Sequence, residues 1–66
     1  MDLKTLVDKK VRIIDIDGQE FLGMVTDYDY PEDNEPEEES IIIEDELRSQ
    51  SIMFYGREIK SLEIIK

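Results

Sequence analysis

The sequence predicts a mainly β fold: a short N-terminal helix followed by a strongly bent five-stranded antiparallel barrel, all in one domain spanning residues 1–66. Three observations lead there. After the first few residues the apolar side chains fall into five short β-rich runs: "KKVRIIDIDG", "QEFLGMVTDYDY", "SIIIEDEL", "SQSIMFYG" and "REIKSLEIIK". No helical segment lies between them, so consecutive strands return on one another as a meander. A chain of 66 residues makes a core from such a sheet only if the sheet curls on itself.

The first segment, "DLKTLVDKK", sets Leu3, Leu6 and Val7 at i, i+3 and i+4, one face of a short helix that must dock on something apolar. In the first strand Val11, Ile13 and Ile16 give a β-branched run, and Ile14 breaks strict alternation. Asp17-Gly18 follows, a dipeptide suited to the positive φ of a hairpin turn. The returning strand carries Phe21, Gly23 and Val25 on one face. Gly23 weakens a strand unless the backbone bends sharply or something approaches closely, and a small barrel needs such a bend. Phe21, Val25, Ile43, Phe54 and Ile64 are the expected core. Gly18, Gly23 and Gly56 are expected to answer backbone geometry, with Gly56 at a sharp turn between the fourth and fifth strands.

Charge limits the function classes. The chain has 18 acidic and 8 basic residues, a formal charge of −10, and eight of the acids lie between Asp27 and Glu39. The remaining ten acids face eight bases, so the acidity is mainly local. That argues against a generic nucleic-acid binder, DNA included, and against an anionic membrane surface. Cysteine and histidine are absent, which removes disulfides, thiolate sites and the commonest general base and zinc ligand. No apolar run approaches the ~20 residues that cross a bilayer. There is no signal-peptide core near the N-terminus, so a cytoplasmic protein is expected.

The stretch "DYDYPEDNEPEEES" reads as a solvated loop between strands, with Pro31 and Pro36 blocking pairing. In a calcium-loop frame starting at Asp27, Pro31 and Glu32 stand where a ligand and a glycine belong, and no helices flank it. No metal, no cofactor and no catalysis are expected, because nothing in the sequence holds a carboxylate partly desolvated in a pocket.

At "DGQEFLGMVTDYD", "SIIIED" and "FYGREI" the chain resembles the Sm/Lsm (Sm-like) family. Asp17, Gly18, Phe21, Gly23, Val25, Tyr28 and Asp29 follow the first Sm motif in register, and Phe54–Ile59 follow the second. The resemblance covers nearly all 66 residues and implies an Sm-like (SH3-like) barrel with an acidic loop insertion at about 29–39. It further implies a pocket for a base or other ligand at Tyr28, Asp29, Ser40, Tyr55, Gly56 and Arg57. Ser40 stands where RNA-binding members carry Asn, and Tyr55 stands where they carry Arg.

A serine lacks the paired donor and acceptor of an amide, while a tyrosine loses the cation and keeps a stacking face. Tyr28 and Tyr55 serve either packing at a subunit contact or stacking on a base. Asp29 orients a pocket or caps a turn. Arg57 meets a phosphate or an acidic neighbour. An open barrel leaves two edge strands, and the resemblance implies that they pair between copies in a ring of six or seven. Ile52, Met53, Phe54, Ile59, Leu62 and Ile64 are the expected subunit contacts. Two functions follow. One is a non-catalytic, ring-forming interaction module whose acidic loops suit basic protein partners. The other is a single-stranded RNA binder with a modified Sm pocket, for which the charge predicts weak or no binding.

Overall fold

Asp17-Gly18 turns the chain as its composition predicts. Gly18 sits at φ +82°, and the Asp15 carboxylate accepts the backbone N–H groups of Asp17 and Gln19 at 3.0 and 2.8 Å. This short side-chain acceptor fixes the turn that joins β1 (Lys10–Asp15) to β2 (Glu20–Asp29). A computed structural model describes residues 2–66. Beyond β2 it places β3 (Ser40–Asp45), β4 (Gln50–Tyr55) and β5 (Ile59–Ile65) in one antiparallel sheet of order β4-β3-β2-β1-β5. The sheet is not closed: among the described residues no ladder joins β4 to β5, although only the 3-10 turn Gly56–Glu58 separates them in sequence. No helix among the described residues is long and apolar enough to cross a membrane.

The sheet bends where its sequence permits. A Cβ placed on Gly23 would lie 1.8 Å from the Glu44 carbonyl oxygen, so β3 passes β2 closer than any side chain allows. Two residues later, the β2–β3 register shifts between Val25 and Asp27, leaving Thr26 as the extra residue of a bulge. A second shift, between Ile14 and Asp15, leaves Lys60 extra on β5. These devices curl the sheet over its apolar face. Phe21 on β2 and Phe54 on β4 meet edge to face at 4.8 Å although β3 lies between their strands. Strand alternation then delivers Val11, Ile13, Phe21, Val25, Ile41, Ile43 and Phe54 to one core.

The N-terminal segment differs from the expected helix. It forms a 3-10 turn, Leu3–Leu6, that Asp8 ends at φ +70°. Four residues cannot sustain an α-helix, and the turn is held by docking instead: Leu3 and Leu6 are buried with the strand residues. Asp8 N–H donates to the Val25 carbonyl and Val25 N–H to the Lys9 carbonyl, so the segment is tied directly to β2.

One expectation about the core needs correction. Ile64 pairs with the buried Val11 yet is 46 % exposed. It lies on the last strand of an open sheet, and no described residue beyond β5 covers it. Phe54 is 4 % exposed and lies in the core as expected.

Candidate interaction site at the acidic-loop end

The cross-strand register decides which candidate residues meet. Asp29 pairs with Ser40, and Ser40 pairs with Tyr55, so these three form one row across β2, β3 and β4. Tyr28 belongs to the adjacent row, Tyr28–Ile41–Phe54, whose other two members are buried in the core. Neighbouring residues on a strand face opposite sides. Tyr28 therefore packs against the core, while Tyr55 shares the other face with Asp29 and Ser40. The two tyrosines do not converge on a single ligand.

Ser40 is fully buried and carries no open hydrogen-bonding face. Its hydroxyl donates to the Asp29 carboxylate at 3.3 Å and accepts from the Asn34 side-chain amide at 3.1 Å. The same amide donates to the Glu38 carbonyl at 2.8 Å. Asn34 thus closes the acidic segment back onto β3. The expectation of a wholly solvated loop is corrected at its base: carboxylates such as Glu32, Asp33, Glu35 and Glu37 are exposed, but the loop is tied down through Asn34 and Glu38. The 3-10 turn Pro31–Asp33 begins it, with Pro31 at a position where a missing N–H costs nothing. Asn34 is the chain's sole amide of its kind. A lone neutral donor and acceptor among carboxylates was the available signal, and an acidic composition hid it.

Arg57 meets the acidic loop. Its guanidinium bonds the Glu38 carboxylate at 2.8 Å and lies 5.2 Å from the centre of the Tyr55 ring. Glu58 caps the turn by accepting the Tyr55 backbone N–H at 2.8 Å. Gly56 does not occupy the left-handed region. A Cβ there would meet only Leu3 Cδ1, at an ordinary 3.6 Å, so the expected glycine-only geometry is absent at this turn.

At the outer corner, Tyr28 and Tyr30 stack edge to face at 5.1 Å, and the Lys4 ammonium sits 4.9 Å over the Tyr30 ring. Burial, followed by the charge and hydrogen bond of Glu39, pushes the Tyr28 phenol above its usual range. Each cation next to this loop is thus already seated against a ring or a carboxylate. The described residues enclose no pocket, and none of their carboxylates gather in threes around a shared point.

The other expected contacts lie at the two open edges. On β4, Ile52 is half-buried and Met53 is 45 % exposed. On β5, Ile59 and Leu62 are half-buried beside the exposed Ile64. Ile52, Ile59 and Leu62 pack against the core cluster from its rims. The apolar interior therefore runs out to both seams without being finished at either.

No family model, curated protein or solved structure matches the chain.

Proposed function

We propose that this chain is a non-catalytic Sm-like module that assembles with copies of itself through its sheet edges and presents acidic loops to basic protein surfaces. The observation that carries the reading is the pair of unfinished seams. Among the described residues β4 and β5 each have one side without a strand partner, and each borders core-facing apolar side chains that remain partly in water. Such edges are a liability in a single copy, and pairing the β4 of one copy with the β5 of the next removes it. Because that contact is head-to-tail, it closes into a ring when the rotation permits, and the Sm resemblance suggests six or seven members. The crease at Gly23, the two bulges and the Phe21–Phe54 contact support a strongly bent sheet of the Sm barrel kind.

RNA is disfavoured as the ligand. The Asp29–Ser40–Tyr55 row offers one ring, already faced by Arg57, and its serine is buried. Stacking on one ring contributes ~1–3 kcal/mol per base, and net negative charge removes the usual phosphate contribution. Exposed edge residues give the test. Met53→Lys and Ile64→Lys place a charge on each edge without entering the core. Either should reduce the assembly to one copy in sedimentation, with an unchanged circular-dichroism spectrum. Labelled uridine-rich and adenine-rich oligonucleotides should bind the parent with Kd above ~10 μM at physiological salt. Submicromolar binding lost on Tyr55→Ala would make the chain an RNA-binding protein instead.

A further inference from the structure

The two open edges are not equivalent. β5, "IKSLEII", carries Lys60 and Glu63, and its register with β1 shifts at the bulge. Charges and bulges are the usual guards of an edge strand. β4, "QSIMFY", has no charge, no proline and no break in its six-residue register with β3. It is the unguarded edge.

Its surroundings are selective. The core-facing residues of β4 are Ile52 and Phe54, which pair with Ile43 and Ile41. A strand added beside β4 would point alternate residues toward that unfinished apolar rim. The residues between them would share the outer face with Ser51, Met53 and Tyr55. On that face carboxylates stand near both ends of β4. Glu44 pairs with Ser51 and accepts its hydroxyl at 2.9 Å. At the Tyr55 end Glu38 reaches Arg57 from the loop, and Asp29 stands two strands inward in the same row. β4 carries no basic residue, Glu44 stands beside Ser51 and the chain's formal charge is −10, so the outer-face residues of an added strand would be favoured as lysine or arginine.

We infer that β4 is the receptor edge for an extended segment of another protein that alternates apolar and basic residues, adding as a further strand. This rests on the self-assembly reading in one respect: the same edge joins the copies, so docking of the segment uncouples them. Main-chain hydrogen bonds would give the affinity, and the alternation would give the selectivity.

A labelled short peptide alternating valine and lysine, read by fluorescence anisotropy, tests this. Two controls accompany it: the same peptide with glutamate for lysine, and the lysine peptide N-methylated at every residue, which keeps its charge and has no N–H to donate from either edge. The expected result is micromolar binding of the lysine peptide, weakened at least ~10-fold in both controls. Ile64→Lys, altered on the other edge, should bind as well as the parent or better, and Met53→Lys should bind poorly. Equal binding of the N-methylated peptide would reduce the interaction to charge alone, undiminished binding by Met53→Lys would put the peptide somewhere other than β4, and either result would overturn the inference. Absence of binding to Ile64→Lys would overturn it too. The mass of the parent is read separately by light scattering. A monomeric parent that binds in the expected pattern sinks the self-assembly reading and keeps the receptor edge. An assembled parent whose mass does not fall on saturation with the peptide contradicts it.

Discussion

Two residues hold the sheet's shape more than their neighbours do. Gly23 is required by contact rather than by φ, since the Glu44 carbonyl occupies the space of a Cβ. Gly23→Ala must push β3 away from β2. Overpacking of this sort costs about 1–3 kcal/mol, which at ~4–8 °C per kcal/mol for a domain this small is a large fall in Tm. Gly56→Ala should leave the Tm near the parent's, because its Cβ meets an ordinary neighbour. Thermal unfolding of the pair separates the two roles.

Asp45 is the second such residue. Buried at the end of β3, it accepts Leu22 N–H at 3.1 Å and Leu47 N–H at 3.3 Å, and it pairs with Arg48 at 2.9 Å. Burial pushes its carboxyl up, but the Arg48 bond and the two backbone donors outweigh it and hold the group below its usual 3.8. A depressed folded value means the charged form stabilises the fold above the unfolded value, with that contribution lost as pH falls through the folded one. Stability should therefore decline below about pH 4. Asp45→Ala should flatten that part of the denaturant profile and cost about 1–3 kcal/mol at neutral pH by stranding the Leu22 donor.

Among the elements, the N-terminal turn and the acidic loop differ in how far the sequence disclosed them. The apolar spacing of Leu3 and Leu6 announced a docking face. It could not announce that Asp8 would take positive φ and stop the helix after one turn, because that is decided by its bond to the Val25 carbonyl. Leu6→Ala should cost about 2–5 kcal/mol, as for other buried leucines. The five strands were legible from β-branched runs and turn residues. The outcome at Ile64 was not, since exposure there depends on the sheet ending at β5 rather than on Ile64 itself. In the candidate site, Asp29, Ser40 and Tyr55 were expected together only through the Sm resemblance, and the strand register sets them in one row. The separation of Tyr28 follows from register, and the Asn34 tie from a tertiary contact. Two loop variants show what the loop contributes to the fold. Asn34→Ala removes two hydrogen bonds at the base and should lower stability by about 1 kcal/mol per bond. Converting Glu32, Asp33, Glu35 and Glu37 to the corresponding amides should leave the Tm equal or higher, because like-charge repulsion is relieved while the base stays tied.

For the whole molecule, charge and edges oppose each other. Each copy carries a formal −10, so six copies together would carry −60. Repulsion between copies acts over roughly a Debye length, ~8 Å at physiological ionic strength. The unfinished apolar seams act at contact. Raising the salt should therefore strengthen assembly, the reverse of what a phosphate-binding ring would show toward its ligand. The most direct measurement is light scattering on the purified protein at tens of micromolar, with the absorbance ratio that reports nucleic acid. The predicted result is a mass several times the 7.8 kDa of one chain, with a ratio typical of protein alone. A mass of one chain would contradict assembly through the open edges.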